Sequence, residues 1–338
     1  MVLPQEFLDA HHHILDTKNN TFQSFLGTCV PNEIYLPEDY ERDVVEPLQQ
    51  AGVKLVGSVH VECMPDSGAE ESAWVHSLTS HVAAIVGSCD LSQPTVHDDL
   101  AKLKKVSPKI RGVRWILDCV GKYEASTATH IATSRHDGVD YLRGSERGYD
   151  GQVVLEFERG YALLEQYDLS FDLQCAPVQL PQAAVLIKKY PTIKVCLDHL
   201  GKPRTLLGPD VLTNTNTVPD SKELEVWRKG MKLMAELPNV YVKLSMLGYS
   251  VPGWIKSPER IALMRDLVCW TVQTFGPSRC MAATNYWKSA ALSDSDGHSD
   301  VGPDPVQLLT LLSEFLKDYS DEDRNRIFCG TAREFYHI

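Results

Sequence analysis

The strongest chemical signal in the sequence is a run of three histidines, His11, His12 and His13, at the end of an apolar stretch that begins at Phe7. Side chains two residues apart on a β-strand point to the same face, so His11 and His13 would lie side by side. Two imidazoles at this spacing suit a divalent metal ion or a pair that polarises a carbonyl group. A purification-tag fragment or surface histidines would be the alternative, but apolar residues follow the run directly.

A third histidine, His199, stands in a comparable position. It ends another apolar stretch, and Gly201 and Pro203 then turn the chain. An isolated histidine there could equally be a core residue with its hydrogen bonds satisfied. Together with His11 and His13 it predicts a cluster of imidazoles, provided that the fold brings the two segments together.

Such a fold is indicated by eight short apolar stretches that alternate with longer stretches of helical periodicity. This alternation is typical of parallel β-α-β units, and eight strands close a barrel. The predicted strands are 7–15, 53–62, 82–91, 110–117, 169–176, 193–199, 240–245 and 280–285. The sequence therefore predicts an α/β protein with a single (β/α)8 TIM barrel, and no linker or internal repeat divides residues 1–338.

The intervening helices and loops have signals of their own. Ser257 before Pro258 and Asp304 before Pro305 offer N-caps for two helices. Further helices are predicted over 180–190 and 224–237. Three long interruptions, 16–39, 118–151 and 206–218, follow predicted strands on the face where barrel enzymes carry their active sites, so we interpret them as substrate lids, with surface insertions as the alternative.

The composition limits the partners. A formal net charge of -12 disfavours binding to nucleic acid or to an anionic membrane, because phosphate binding needs clustered cations. Nine cysteines without a CxxC pair indicate buried free thiols in a reducing compartment. We find neither a secretory signal nor a run of the roughly 18 apolar residues that a membrane span needs. We expect a cytoplasmic protein that binds a small molecule, and the sequence leaves open whether it forms a homo-oligomer.

Three segments carry a resemblance to a known family. DAHHHILD on the first predicted strand, CLDHLGKP on the sixth and VYVKLSMLG on the seventh resemble the amidohydrolase-related group that includes 2-pyrone-4,6-dicarboxylate lactonase and the sugar lactonases. The resemblance extends over nearly the whole chain and implies the amidohydrolase type of TIM barrel. It also implies that His11 and His13 are the strand-one pair and that His199 is the histidine of strand six.

The sequence departs from the metal-dependent members of that group at two positions. Those enzymes have a histidine on strand five and an aspartate on strand eight, where this chain presents Gln174 and Asn285. By the resemblance, Gln174 lines the substrate site and Asn285 takes the place of the catalytic aspartate. An amide is no general base at neutral pH and is a poorer metal ligand than a carboxylate. Asp198 neighbours His199, but strand alternation would point it to the opposite face unless the strand end twists.

Two arrangements could replace the missing aspartate. The three histidines, His11, His13 and His199, could hold one zinc ion with a water in the fourth position, which would lower the pKa of that water to about 7. Alternatively Glu62, which is expected to share one face of strand two with His60, could ligate the metal or activate water while His60 contacts substrate. For both residues a hydrogen-bonded pair inside the barrel is the alternative.

Three cations are placed where they could anchor a substrate. Arg111 and Arg114 lie on the fourth predicted strand and Lys243 on the seventh. A guanidinium binds a carboxylate through two parallel hydrogen bonds, which would suit an anionic substrate. A regular strand lets only one of the two arginines face inward, and either could form a structural ion pair instead.

Three functions are compatible with these residues. The first is a hydrolase that opens a lactone, either a carboxylated pyrone or a sugar-acid lactone, by attack of a water that is bound to metal or positioned by the histidines. The second is a metal-dependent non-oxidative decarboxylase, against which Gln174 and Asn285 count. The third is a catalytically silent barrel that binds a small molecule. The sequence decides neither whether a metal is required nor which general base acts.

Overall fold

The computed structural model describes residues 3–78, 80–118, 139–142, 151–208, 216–286 and 303–338. Eight parallel strands form one sheet in which neighbours follow chain order. They are β1 (Glu6–His12), β2 (Lys54–Val61), β3 (Val82–Ser88), β4 (Ile110–Arg114), β5 (Ser170–Leu173), β6 (Val195–Leu197), β7 (Val240–Leu244) and β8 (Cys280–Ala282). A small antiparallel pair, Leu15–Asp16 with Ile34–Tyr35, follows β1.

The two edges of the sheet meet and close it into a barrel. After β8, the backbone N–H of Asn285 donates to the carbonyl oxygen of His11 at 2.7 Å, and Tyr286 pairs with His12 in parallel. The predicted (β/α)8 barrel is therefore confirmed. Each of the eight predicted strands is present, and all eight end earlier than predicted because the chain turns at the carboxyl end of the barrel.

Helices surround the barrel. Those of ten or more residues in the described ranges are α1 (Gly68–Ser77), α2 (Val96–Val106), α3 (Gln152–Gln166), α4 (Leu180–Lys189), α5 (Ser221–Ala235), α6 (Pro258–Phe275) and α7 (Pro305–Phe315). Shorter helical segments are Ser24–Cys29, Pro37–Tyr40, Glu41–Val45, Glu46–Gln50, Asp321–Asn325, Arg326–Gly330 and Thr331–Tyr336. Most of the predicted lids at 118–151 and 206–218 lies outside the described residues.

Two of the helices begin as their sequences predict. The Ser257 hydroxyl accepts the backbone N–H of Arg260 at 3.2 Å, and Asp304 Oδ1 accepts that of Gln307 at 3.0 Å. Each cap satisfies a backbone donor that has no partner within the helix, and the proline that follows already has a helical φ angle. The capped ends fix where α6 and α7 start along the barrel wall.

Strand alternation separates two apolar layers. Outward side chains such as Val195 and Val242 pack beneath the helices, and inward side chains such as Val59 and Met281 fill the barrel itself. The inner layer also includes Tyr336 from the last helical segment, which therefore covers the amino-terminal end of the barrel. The candidate active site therefore lies at the opposite end, where the carboxyl ends of the strands lead into polar residues.

The described thiols and helices agree with the expectations from composition. The cysteines whose side chains are described are free thiols, and all of them except the half-buried Cys269 are buried. Within the described ranges, no helix has both the length and the apolar character needed to cross a bilayer.

The contact of α3 with the loop after β3 gives a test of the packing. A Cβ atom at Gly160 would lie 2.0 Å from the carbonyl oxygen of Leu91. We expect Gly160→Ala to lower the free energy of unfolding by about 1–3 kcal/mol, the usual cost of overpacking. Gly151→Ala is the matched control, since no described atom lies within 4 Å of that Cβ position. Urea denaturation measures both, and equal midpoints would contradict the close contact.

Candidate active site

Four barrel strands lead into residues with a left-handed backbone. Met64 after β2, His199 after β6, Met246 after β7 and Asn285 after β8 have φ angles of 51°, 54°, 44° and 54°. These conformations are unfavourable for residues other than glycine, and they concentrate at functional sites. All four lie at the carboxyl end of the barrel, which is where active sites of this fold are built.

His11 and His13 lie side by side in the mouth of the barrel, as the sequence predicts. Their ring centroids are 4.9 Å apart, and their Nε2 atoms are 3.3 Å apart. His13 Nδ1 lies 2.8 Å from the carbonyl oxygen of Val61, so Nδ1 carries the proton that is donated. The lone pair of His13 is therefore on Nε2, the atom that faces His11.

His199 completes the cluster. Its ring centroid lies 4.9 Å from that of His11, and its Nδ1 lies 2.9 Å from Ser245 Oγ at the end of β7. Strands one and six, which are far apart in the sequence, therefore bring three buried imidazoles together, as the sequence analysis expects.

The carboxylate of Asp198 contacts His11 of this cluster and two buried cations. Its Oδ1 lies 3.5 Å from His11 Nδ1 and 3.0 Å from Lys243 Nζ, and its Oδ2 lies 3.4 Å from Arg114 Nη1. Asp198 lies two residues after Cys196 of the inner layer and has an extended backbone, so regular alternation turns it into the mouth. The left-handed backbone at His199 then breaks the alternation, and both side chains face the mouth. Burial acts to raise the pKa of Asp198, but Lys243 and His11 hold it well below its usual value. The carboxylate is therefore ionised.

Arg114 faces the mouth and donates to side chains that follow β2 and β5. Its Nε donates to Glu62 Oε1 at 2.6 Å, and its Nη1 donates to Gln174 Oε1 at 3.2 Å. Glu62 also accepts the backbone N–H of Met64 at 2.7 Å through its second oxygen. Since both oxygens of Glu62 already accept hydrogen bonds, we interpret this carboxylate as the partner of Arg114, the alternative considered from the sequence, and not as a general base.

Lys243 is fully buried between two carboxylates. Its Nζ lies 2.5 Å from Asp172 Oδ2, 3.0 Å from Asp198 Oδ1 and 3.3 Å from His11 Nδ1. Burial opposes its charge, but Asp172 and Asp198 raise the pKa of Lys243 above its usual value. The expectation that Lys243 and Arg114 stand open to a substrate carboxylate is therefore corrected, because both cations already have buried carboxylate partners.

Arg111 lies away from the mouth. Its guanidinium donates to the carbonyl oxygens of Pro108 and Ile110, at the start of β4. The expectation that it anchors substrate is therefore corrected, and Arg114 is the arginine of β4 that faces inward, since alternation allows one of the two to do so.

His60 also lies outside the mouth, contrary to expectation, because it pairs in register with His12 on the outward face of β2. Together with Cys63 and Glu71 it offers three buried ligand atoms within 4.8 Å of one another. However, its Nδ1 accepts the backbone N–H of Ile14 at 3.3 Å, so a neutral His60 carries its proton on Nε2, which faces Glu71 at 3.9 Å. That tautomer disfavours metal binding, and we interpret this group as a buried polar contact with α1.

Asn285, whose backbone N–H donates to His11, has a buried acceptor of its own. Its Nδ2 lies 3.1 Å from Met246 Sδ, whereas its Oδ1 has no hydrogen-bond partner among the described residues. The side chain is almost completely buried. A buried acceptor without a donor is unfavourable, so Asn285 Oδ1 is suited to an O–H group of water or substrate.

The histidine nitrogens fit a divalent metal ion. Two nitrogens that bind one tetrahedral zinc ion at about 2.0–2.1 Å must lie roughly 3.3–3.4 Å apart, and the Nε2 atoms of His11 and His13 are separated by 3.3 Å. His13 directs its other nitrogen to a backbone carbonyl, as metal-bound histidines usually do. His11, Asp198 and His199 also present ligand atoms within 4.8 Å of one another.

One buried ion pair at the mouth was missed from the sequence. Lys202, three residues after His199, pairs with Asp118, which follows β4, and both side chains are buried. Burial lowers the pKa of Lys202 to about 8, although Asp118 acts to raise it. The signal was present in the CLDHLGKP segment and in the polar residue after strand four, but spacing alone does not show that the two meet.

Comparison with known proteins places this geometry in a family. The family model described as amidohydrolase matches residues 8–338. The chain belongs to the amidohydrolase family. Its relatives include an L-fucono-1,5-lactonase of Burkholderia ambifaria, 26% identical over 98% of this chain and 95% of that protein.

Solved structures agree on the fold. An amidohydrolase of Burkholderia multivorans with bound zinc has a TM-score of 0.67 at 20% identity and covers 98% of this chain and 99% of its own. A candidate 2-pyrone-4,6-dicarboxylic acid hydrolase of Pseudomonas putida has a TM-score of 0.64 at 14% identity, covering 100% and 98% of the two chains. The resemblance drawn from DAHHHILD, CLDHLGKP and VYVKLSMLG is thereby confirmed.

The buried histidines predict how stability changes with pH. Burial holds the pKa values of His11, His12 and His13 well below 6.5 and lowers that of His199 to about 3. Below pH 6.5 the unfolded chain takes up protons at these positions and the folded chain does not, so stability falls as the pH falls. Three buried carboxyl groups act in the opposite direction: burial raises the pKa values of Asp9 and Asp172 from 3.8 to about 6, and it also raises that of Glu62. They are three groups against four, so the net effect is still a loss of stability as the pH falls.

Urea denaturation between pH 8 and pH 5 measures this dependence. His12→Phe should reduce the slope of unfolding free energy against pH by up to about 1.4 kcal/mol per pH unit below pH 6.5, because it removes one proton uptake. His97→Phe is the matched control, since the His97 side chain is 57% exposed. Identical slopes for the two variants would contradict a neutral, buried His12.

Proposed function

We propose that the protein hydrolyses lactones, and that its substrate is a lactone of a sugar acid. The observation that carries the proposal is the pair of imidazoles on β1, whose Nε2 atoms lie 3.3 Å apart in the barrel mouth beside His199 and Asp198. Family membership and the lactonase relative, which matches nearly the whole chain, support the same reaction class.

The charges at the mouth favour a sugar lactone over a carboxylated pyrone. Among the described residues, three buried cations face four buried carboxylates: Arg114, Lys202 and Lys243 against Glu62, Asp118, Asp172 and Asp198. Each cation has a carboxylate partner, so an anionic substrate would have to compete with these pairs. A neutral lactone avoids that competition, which revises the expectation of an anionic substrate.

His11, His13 and His199 would hold a divalent ion, and we propose zinc. When bound, the ion supplies polarisation of the ester carbonyl and a lowered pKa for water. The chain itself orients the reactants: Asn285 Oδ1 accepts a hydrogen bond from the attacking water or from a substrate hydroxyl, and ionised Asp198 stabilises any positive charge that develops on the neighbouring imidazoles. The leaving group of a lactone is an alcohol, so the reaction does not need the residue that would protonate an amine in amide hydrolysis.

The decisive assay is acid release, followed at constant pH, from L-fucono-1,5-lactone and from 2-pyrone-4,6-dicarboxylate. We expect faster release from the sugar lactone. Release of carbon dioxide from a hydroxybenzoate without acid release would support a decarboxylase instead, and a folded protein that opens no lactone would leave the silent barrel as the better description. Elemental analysis of the purified protein reports whether zinc is bound.

Removal of one imidazole should separate chemistry from folding. We expect His199→Asn to lower kcat by about 10²–10³, the range for loss of one group that stabilises the developing oxyanion, with a smaller change in KM. His97→Asn, at an exposed position on α2, should keep the activity of the original protein. If His199→Asn retains full kcat, the cluster is not where the reaction occurs.

A further inference from the structure

The segment after β6 is an unusual left-handed turn. His199, Leu200, Gly201 and Lys202 have φ angles of 54°, 55°, 67° and 54°. L-residues enter this region as single positions because it crowds Cβ against the carbonyl oxygen, and three of these four residues are not glycine. A run of four such residues is unfavourable and calls for a compensating contact or a function.

Helix α5 holds the turn in place. Trp227 Nε1 donates to the carbonyl oxygen of Leu200 at 2.7 Å, and within the turn Lys202 N donates to the carbonyl oxygen of His199 at 2.8 Å. A Cβ at Gly201 would lie 2.8 Å from Met231 Sδ, so the chain can approach α5 this closely because that residue is glycine. The turn is therefore fixed rather than adaptable.

The turn places one side chain at each end. At its beginning His199 joins the imidazole cluster, and at its end Lys202 forms an ion pair with Asp118. Lys202 and Asp118 are 1% and 3% exposed, so neither is a surface residue that paired incidentally. The function of His199 is accounted for by the cluster, whereas the function of Lys202 is not.

A cavity of about 440 Å³ opens beside this ion pair. It lies over the carboxyl ends of β4, β5 and β6, on the same face of the barrel as the histidines. Its lining combines acceptors, donors and an apolar wall, and it includes Asp118, Lys202, Thr205, Ala176, Pro177 and Val178. This mixture suits a ring that is apolar on one face and carries hydroxyl groups at its edge.

We propose that Lys202 and Asp118 bind the ring hydroxyl groups of the lactone. Each hydroxyl can donate to Asp118 and accept from Lys202, so a polyol satisfies both members of the pair, whereas a carboxylate would be repelled by Asp118. The left-handed turn then fixes the distance between the hydroxyl-binding pair and His199. This inference rests on the proposed lactone hydrolysis and assigns its hydroxyl-binding subsite.

The test compares two substrates that differ in hydroxyl groups, L-fucono-1,5-lactone and δ-valerolactone. The variants are Lys202→Met and the double variant Lys202→Met with Asp118→Leu, which leaves no unpaired buried charge. We expect kcat/KM for the sugar lactone to fall about 10- to 100-fold more than that for δ-valerolactone, mainly through KM, since hydrogen bonds to charged groups are lost. Lys229→Met is the matched control, because Lys229 is an exposed lysine on α5 that does not line the cavity.

Binding of 1,5-anhydro-L-fucitol, measured by calorimetry, tests the subsite without turnover. If the original protein opens no lactone but binds the cyclic polyol, and the double variant does not bind it, the proposed reaction is overturned and the subsite is kept. Equal losses for the two lactones, or unchanged binding of the cyclic polyol in the double variant, would overturn the subsite and keep the reaction. Thermal melts of each variant verify that it is folded.

Discussion

The arrangement of the mouth depends on one carboxylate, that of Asp198. It is fully buried, and it lies within 3.5 Å of groups from three other strands: His11 on β1, Arg114 on β4 and Lys243 on β7. Charges without water are tolerated when they are paired, and loss of one partner leaves the others uncompensated. A single side chain thus fixes the orientation of the imidazole and the positions of both inward cations.

The barrel supplies the environment in which this network is strong. Inward positions in the lower half are mostly apolar, with Val59, Ala84 and Met281 among them, and the charged groups begin in the last two residues of β4, β5 and β7. Electrostatic interactions are stronger where water is excluded, and unsatisfied polar groups are then also more costly. This explains why most polar atoms of the network have a partner, and why the Oδ1 atom of Asn285, which has no described hydrogen-bond donor, marks a point where substrate or water is expected.

The sequence predicted the features that depend on periodicity. Eight apolar stretches gave the strands, the Ser257 and Asp304 caps gave two helix starts, and the spacing of His11 and His13 gave their common face. Predictions failed where regular alternation stops. His199 faces the mouth together with Asp198 because its backbone is left-handed, and no local pattern reveals that.

Pairing across the barrel is equally invisible to local patterns. The sequence placed Lys243 at an inward position but could not show that Asp172 and Asp198 neutralise it, and it missed the contact of Lys202 with Asp118 across two strand ends.

The amino-terminal end of the barrel is closed by Tyr336, which limits how molecules reach the site. Lys243 Nζ lies 5.6 Å from the centre of the Tyr336 ring, and the Tyr336 hydroxyl donates a hydrogen bond to Asp172 at 2.9 Å. Tyr336 therefore closes the active site on the side of the amino-terminal end of the barrel. Reactant and opened acid must therefore use the same entrance, and each occupies the space that the other needs.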